Sequence, residues 1–282
     1  MGRTAEDVRQ EVSKSYGEEI SRPAAVGCCG AANSAQKDLA INLAGYSAQE
    51  LEDLPAEAGD SIFGCGNPVS FAGMRSGDVV LDLGSGAGAD LFLAAKKVGP
   101  TGRVTGVDMT DEMIAKANEN IRTSGLANVE ARKGIIEALP VESASVDWVI
   151  SNCVINLSPE KEKVFQEIAR VLKPGGQMLV SDIVTDALPA EILNDRSLYS
   201  ACVAGAISEG QYLAGLRSAG LIDVEVRGRL VFDAVQILSA VKVAAGEFRL
   251  DERWKVRSEE LAKTVEGKVW SAKVYARKPA VE

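Results

Sequence analysis

An apolar run that breaks into three closely spaced glycines is the strongest constraint on how this chain folds. The segment Val79–Gly88 reads VVLDLGSGAG. This pattern predicts a strand that turns sharply into a helix, because glycine lets the backbone bend and leaves N–H groups open to a ligand. Asp108 ends the next predicted strand, twenty residues after Gly88, where a carboxylate can accept hydrogen bonds from both hydroxyls of a ribose. Together these features predict a site for a nucleoside-containing cofactor.

The carboxylate of Asp82 distinguishes between the cofactors that such a loop can hold. The spacing Gly84-x-Gly86-x-x-Ala89 also fits a loose dinucleotide fingerprint. Asp82 lies two residues before the first glycine, where it would repel a pyrophosphate and attract a cation. S-adenosylmethionine carries an ammonium, a sulfonium and a ribose but no phosphate. The pattern therefore favours S-adenosylmethionine, and it resembles the first motif of class I methyltransferases that use this cofactor.

The amino-acid composition limits the partners that the chain can bind and the chemistry that it can perform. The 282 residues carry a net charge of −9, with 40 acidic against 31 basic side chains, which argues against nucleic acid and anionic membranes as partners. No apolar run approaches the roughly 18 residues of a membrane span, and the first ten residues are too polar for a signal peptide. We therefore expect a cytoplasmic protein whose five cysteines are free thiols. The absence of histidine excludes His-based acid–base catalysis and His-ligated metal sites.

Beyond residue 78 the apolar pattern alternates between strands and helices. Strands are predicted at 79–83, 103–107, 128–132, 146–151 and 177–182, and helices at 88–98, 110–123 and 159–172. Residues 187–220 are predicted to be helical, and strands near 222–227 and 268–277 would complete the sheet. This alternation predicts an α/β fold with a doubly wound, mostly parallel, Rossmann-like sheet. Ligands of such sheets lie beyond the carboxyl ends of the strands.

We expect three regions along the chain. They are an N-terminal arm with cysteine loops over residues 1–70, a cofactor-binding Rossmann-like core over 71–186, and substrate-side helices and strands over 187–282. Within the arm, residues 4–20 have the spacing of a short amphipathic helix. Ser47 and Glu50 form a candidate capping box for a second helix.

The cysteines form a second signal, because most of them fall in predicted loops. Cys153 follows the fourth predicted strand, Cys65 lies between two glycines, and Cys28 and Cys29 share a glycine-flanked loop. A buried cysteine is often only a small apolar residue, and this interpretation fits Cys202 best. Zinc is disfavoured because no Cys-x-x-Cys spacing occurs. A thiophilic substrate, a redox role and coincidence remain as interpretations of the set.

Several segments resemble the arsenite S-adenosylmethionine methyltransferases. They are GCGNP at 64–68, the glycine motif at 82–88, GVDM at 106–109, SNCVINL at 151–157, RVLKPGG at 170–176 and SD at 181–182. The glycine motif and Lys-Pro-Gly-Gly occur in many methyltransferases, whereas the first segment and SNCVINL are specific. The resemblance runs from about residue 8 to 205, and more weakly to the strand near 268–277.

This resemblance implies roles for the cysteines. Cys65, Cys153 and Cys202 match the thiols that hold trivalent arsenic, and Cys28 or Cys29 corresponds to a further N-terminal catalytic cysteine. The neighbouring pair departs from the simpler family pattern and leaves open which of the two acts. The resemblance also implies a small metalloid substrate and an external thiol reductant, thioredoxin or glutathione, with no nucleic acid or membrane partner.

The chemistry of arsenic agrees with this composition. Arsenic(III) carries its own lone pair, so it can accept a methyl group without a base to remove a proton. Sulfur ligands suit a soft ion, and an aligned acceptor is what an already activated methyl group requires. A site without histidine is therefore sufficient for this reaction.

The candidate cofactor residues gather at the predicted strand ends. Asp82 and Gly84 are expected to face the methionine amine, Asp108 the ribose and Met109 the adenine, while Asn152 would orient either the methionine portion or Cys153. The complete set is Asp82, Gly84, Gly86, Gly88, Asp108, Met109, Ile136, Glu137 and Asn152. Tyr16 is a further candidate, which would cap the cofactor from the N-terminal helix.

Two other functions share parts of this pattern. A C- or N-methyltransferase for small molecules, of the quinone-methylating type, would use the same scaffold without needing the cysteines. A non-enzymatic metalloid sensor or buffer would use the cysteines but would have no need of Asp82 and Asp108.

Overall fold

The computed structural model describes residues 3–21, 45–52, 54–55, 66–193, 195, 199, 202–237 and 257–281. The first part contains α1 (Ala5–Ile20), α2 (Ala48–Glu52), α3 (Pro68–Phe71), β1 (Val79–Leu83), α4 (Ala89–Val98), β2 (Arg103–Asp108), α5 (Asp111–Ser124) and β3 (Val129–Lys133). The second part contains β4 (Val146–Asn152), a 3-10 turn (Ile155–Leu157), α6 (Lys161–Val171), β5 (Leu172–Thr185), α7 (Ala190–Leu193), α8 (Glu209–Ser218), β6 (Ile222–Val231), α9 (Ser258–Val265) and β7 (Val269–Arg277).

The strands form one sheet in the order β3-β2-β1-β4-β5-β7-β6. The first five of these strands pair in parallel, and β7 runs antiparallel to both of its neighbours. Leu83 at the end of β1 is level with Val107 on one side and Ser151 on the other. The carboxyl ends of the three central strands therefore meet at one edge, and the predicted fold class is confirmed.

Apolar side chains cover both faces of the sheet. Alternate residues of β1 point to opposite faces, as the strand period of two requires: Leu81 and Leu83 join one cluster and Val80 joins the other. Helix α6 covers the first face and α4 the second. Among the described residues, no helix is long and apolar enough to cross a membrane.

A third apolar cluster lies around two of the cysteines. Val8 and Val12 of α1 pack in it with Cys153, Cys202 and residues of α9. Because Cys153 directly follows β4, this cluster brings both ends of the chain to the carboxyl edge of the sheet.

The structure differs from the sequence-based expectation at three places. Strand β5 begins at Leu172 instead of 177, because β4 pairs with Leu172 and then, after an irregularity, with Gln177. Within that irregularity Gly175 has a φ of +79° and donates its N–H to the Lys278 carbonyl. Among its described residues, the stretch 187–220 is helical in α7, at Tyr199 and in α8, and residues 202–205 form turns instead. Between the predicted strands near 222–227 and 268–277, where no element was predicted, α9 forms.

Candidate active site

The turn between β1 and α4 depends on glycine at three positions. Gly84, Gly86 and Gly88 have φ values of +67°, +52° and +99°, a region that other residues adopt only at a cost. A Cβ on Gly84 would also lie 2.3 Å from a methyl group of Val154. Gly88 occupies the N-cap position of α4, whereas Gly84 and Gly86 line a cleft.

Asp108 is fixed by the backbone at the end of β2. Its two carboxylate oxygens accept the N–H groups of Gly86, at 3.0 Å, and Thr110, at 2.8 Å. Burial raises the pKa of Asp108, and these N–H donors oppose that rise. The Thr110 hydroxyl and the Met109 N–H also donate to this carboxylate, and Asp108 lines the cleft. The carboxylate is therefore held in place where a cofactor hydroxyl could reach it.

Three acidic side chains, Asp82, Asp90 and Asp108, line the cleft, and the first two are buried. Asp82 is 2% exposed and Asp90 is 7% exposed. Burial, together with the charges of Asp90 and Asp108, raises the pKa of Asp82 well above its usual value. Burial raises the pKa of Asp90 to about 6. Bringing a cation into this cleft would relieve the repulsion between these groups.

Asp90 belongs to a hydrogen-bonded group that sequence reasoning missed. It accepts the hydroxyl of Tyr46 at 2.8 Å and the Nδ2 of Asn152 at 3.2 Å. Asn152 also donates to the Gly66 carbonyl at 2.5 Å and accepts the Gly66 N–H at 3.1 Å. Asn152 thus ties the backbone at Gly66 to the cofactor edge of the sheet. In the sequence, Asp90 is an acidic residue in the first turn of a helix, where the helix dipole favours negative charge in any protein. Nothing in the sequence therefore marks Asp90 as a site residue.

The cleft encloses about 990 Å³, including space open to solvent. Helix α1 covers one side of it with Arg9, Val12 and Tyr16. Arg9 forms ion pairs with Glu137, at 3.3 Å, and with Glu160. Glu137 also accepts the Ser158 hydroxyl at 2.6 Å. Arg9 is a second residue for which the sequence carried no signal, because its partners are distant in the chain.

Cys153 and Cys202 share an unusual backbone conformation. Each has a φ of +61°, which costs a non-glycine residue about 1–3 kcal/mol and is concentrated at functional sites. Both are buried, and the Cys202 thiol donates to the Cys153 carbonyl at 2.9 Å. The Tyr16 hydroxyl is hydrogen-bonded to the Cys202 thiol. Burial, reinforced by Asp182, raises the pKa of Cys202 far above its usual value.

The expectation that all cysteines are free thiols is wrong for Cys153. Cys202 is free, whereas Cys153 is disulfide-bonded, and its bonding partner lies outside the described residues.

A buried polar group lies behind the cysteines, and it was not predicted. Asp182 accepts the Asn156 Nδ2 at 2.8 Å, and the Tyr212 hydroxyl lies 3.4 Å from its other oxygen. The Lys161 ammonium donates to the carbonyls of Asn156 and Ser158. Burial raises the pKa of Asp182 to about 7, although Lys161 opposes the rise.

The structure brings most of the predicted site residues to one place. The cleft is lined by Asp82, Gly84, Gly86, Asp108, Met109, Ile136, Glu137, Asn152 and Cys153. Gly88 and Cys202 are not among its lining residues, although the Cys202 thiol contacts Cys153. Cys28, Cys29 and Cys65 lie outside the described residues.

The doubly wound sheet and the glycine turn define the class of protein. A family model described as a methyltransferase domain matches residues 74–220, more than half of the chain. The chain is therefore a member of the methyltransferase-domain family.

Comparison with individual proteins gives a narrower family. An arsenite methyltransferase of Halobacterium salinarum is 48% identical over 201 residues, which are 71% of this chain and 50% of that protein. A crystal structure of an arsenic(III) S-adenosylmethionine methyltransferase from Chlamydomonas reinhardtii is 33% identical with a TM-score of 0.64, covering 83% of this chain and 73% of that one. The chain thus belongs to the arsenite methyltransferase family.

Two further facts describe the extent of the match to the arsenite methyltransferases. The chain spans about half the length of the curated arsenite methyltransferases that it matches. A ubiquinone/menaquinone C-methyltransferase of an Enterobacter species is 36% identical over 113 residues, 40% of this chain and 45% of that protein. The quinone-type match thus covers a smaller part of the chain than the arsenite-type match.

Proposed function

We propose that this chain transfers methyl groups from S-adenosylmethionine to trivalent arsenic held by its cysteines. The observation that carries the proposal is the meeting of two features at one edge of the sheet. One is a cleft lined by buried carboxylates, and the other is a pair of cysteines, Cys153 and Cys202, in the same strained conformation. Cys153 belongs to both, because it lines the cleft and its carbonyl accepts the Cys202 thiol.

The cleft fits a cationic nucleoside cofactor. Gly84 and Gly86 line the cleft without side chains, so the cofactor can approach the backbone of the turn. Asp82 faces a cleft whose charge favours an ammonium or sulfonium, and Asp108 presents two held oxygens to a ribose. Met109 and Ile136 supply apolar surface for an adenine. When bound, S-adenosylmethionine supplies a methyl group already activated by its sulfonium sulfur.

The cysteines hold the acceptor. Each thiol that binds arsenite replaces one hydroxide, with loss of water, and three thiolates leave the arsenic lone pair as the open position. Cys153 and Cys202 supply two thiolates beside the cleft, and we assign the third to Cys65. Methylarsenite has two exchangeable oxygens, so Cys153 and Cys202 suffice for it.

The reaction also requires a reductant. Donation of the arsenic lone pair to a methyl group leaves arsenic pentavalent, and its return to the trivalent state consumes two electrons. Two thiolates supply these electrons when they join as a disulfide, and Cys153 is able to form one. We propose that thioredoxin or glutathione in the cytoplasm restores the thiols, with Cys28 or Cys29 relaying the exchange.

The other functions fit the site less well. A quinone-type methyltransferase has no use for paired cysteines at a positive φ, and its relatives match a shorter part of the chain. A metalloid buffer has no use for the glycine turn and the backbone-held carboxylate of Asp108.

Mass spectrometry after incubation with arsenite and S-adenosylmethionine carrying a labelled methyl group tests the proposal. The native chain, with excess thiol, should yield methylated arsenic. Cys65→Ser should lose methylation of arsenite but keep most methylation of methylarsenite, whereas Cys153→Ser and Cys202→Ser should lose both. Bound but unmethylated arsenic would indicate a buffer. Full activity in the Cys153 and Cys202 variants would refute the role of the thiols.

A further inference from the structure

Helix α1 places three side chains in the cofactor cleft. Arg9, Val12 and Tyr16 are three and four residues apart, so they lie on one face of the helix, and all three line the cleft. The helix is fixed at both ends. A capping box of Thr4 and Asp7 begins it, and near its end Gly17 packs so closely on α5 that a Cβ would lie 2.6 Å from the Glu112 carboxylate. The Tyr16 ring is therefore held at the cleft by a well-anchored helix.

The hydroxyl of Tyr16 reaches the second cysteine of the site. Tyr16 packs against the apolar cluster that contains Cys153 and Cys202, and its hydroxyl is hydrogen-bonded to the Cys202 thiol. The same thiol donates its own proton to the Cys153 carbonyl at 2.9 Å. A single side chain thus lines the cofactor cleft and is hydrogen-bonded to a thiol of the metalloid site.

These two contacts of the Cys202 sulfur respond differently to arsenic. A sulfur bonded to arsenic has lost its proton, so it can no longer donate to the Cys153 carbonyl. The Tyr16 hydroxyl can still donate to that sulfur, and donation to a sulfur with anionic character is stronger than to a neutral thiol. The Tyr16 contact is therefore the one that a bound metalloid would retain.

We infer that Tyr16 is a positioning residue that couples occupancy of the cofactor cleft to metalloid binding at Cys202. This inference rests on the proposed function, since it takes Cys202 as an arsenic ligand. A ligand in the cleft restricts the ring, and arsenic on Cys202 fixes the hydroxyl, so either one reduces the conformational entropy that the other must remove. The coupling is reciprocal, because each ligand must change the affinity for the other by the same factor.

Calorimetry on the reduced full-length chain tests this inference without turnover. The probes are S-adenosylhomocysteine, which has no methyl group to transfer, and arsenite. In the native protein each ligand should tighten binding of the other by about fivefold or more, the lower end of measured couplings. In Tyr16→Phe, which keeps the ring, S-adenosylhomocysteine alone should bind within about twofold of native, while the coupling factor should fall to about one.

Tyr199→Phe is the matched control. Tyr199 packs in the same cluster as Cys202, but its hydroxyl donates to the Leu157 carbonyl at 3.3 Å, and it does not line the cleft. This variant should keep the native coupling. The inference is overturned if the native protein shows no coupling, if Tyr16→Phe keeps it, or if Tyr199→Phe loses it equally.

The outcome is distinguishable from failure of the proposed function. A native chain that binds both probes with coupling but forms no methylated arsenic would contradict the proposed function and leave the role of Tyr16 standing. A native chain that methylates arsenite without any Tyr16-dependent coupling would contradict the role of Tyr16 and leave the proposed function standing.

Discussion

Cys153 and Cys202 carry strain in the backbone as well as chemistry in the side chain. Their common φ of +61° is a conformation that glycine adopts freely and other residues adopt at a cost. A cysteine at such a position costs backbone stability relative to glycine, because glycine would relieve the strain. The two positions therefore combine packing in the apolar cluster with thiols that cost backbone strain.

Paired substitutions at position 202 measure this strain. Cys202→Gly should be more stable than Cys202→Ala by about 1 kcal/mol, the reverse of the usual order, because only glycine relaxes at a positive φ. Chemical denaturation of both variants gives the difference. Ala204, buried two residues further on, is the control, and Ala204→Gly should lose stability. A Cys202→Ala variant that equals or exceeds Cys202→Gly would show that the backbone at this position is unstrained.

Asp108 is the residue whose loss should most affect cofactor affinity. Asp108→Asn replaces one acceptor oxygen by an NH₂ group, which must face the N–H of Gly86 or Thr110. Replacing the charged acceptor of the ribose hydroxyls by a neutral amide costs roughly 2–3 kcal/mol of binding free energy. Calorimetry should therefore show S-adenosylhomocysteine binding about 30- to 150-fold more weakly. Asp111→Asn, an exposed acid at the start of α5, should bind as the native chain does; equal affinities in the two variants would remove Asp108 from the site.

At the scale of elements, local sequence patterns predicted the strands, helices and caps that depend on interactions between nearby residues. The strands from β1 to β4 and the helices between them follow from apolar periodicity, and the capping box of Ser47 and Glu50 is confirmed by its two reciprocal hydrogen bonds. The pairs that complete the site are not local. Tyr46 reaches Asp90 and Arg9 reaches Glu137 only after the chain has folded, so a single sequence carries no signal for them.

The ion pairs of Arg9 should control the stability of α1. Arg9→Met keeps much of the apolar stem but leaves the buried Glu137 carboxylate without its cation, which should cost the helix roughly 2 kcal/mol. Hydrogen exchange of the α1 amides should then accelerate about 30-fold, while the amides of α4 stay protected. Lys14→Met, on the exposed side of the same helix, should leave exchange unchanged. If Arg9→Met also leaves it unchanged, α1 is held by its apolar contacts alone.

At the scale of the whole molecule, the chain concentrates acidic side chains at one edge of its sheet. Asp82, Asp90, Asp108 and Asp182 are buried or nearly so, and burial raises the pKa of each. A carboxyl whose folded-state pKa lies above its unfolded value binds its proton more tightly in the folded state. The stability that it contributes is complete below the unfolded pKa and is lost as the pH rises through the folded pKa. These acids together should make the ligand-free protein less stable at neutral pH than in mild acid.

Asp182 provides the sharpest test of this pH dependence, since burial raises its pKa to about 7 and its side chain is fully buried. Between pH 5 and pH 8 its ionisation should lower the free energy of unfolding by roughly 2–3 kcal/mol. The side chain in Asp182→Asn is neutral at every pH. Urea denaturation should therefore show that the free energy of unfolding falls less between pH 5 and pH 8 in this variant than in the native chain, by roughly 2–3 kcal/mol. The comparison uses the change with pH within each variant, so a uniform loss of stability in Asp182→Asn does not affect it. In Glu142→Gln, at an exposed position, the free energy of unfolding should fall by the same amount as in the native chain. An equal fall in native and Asp182→Asn would mean that Asp182 has no raised pKa in the folded protein and that its Lys161 neighbour compensates fully for burial.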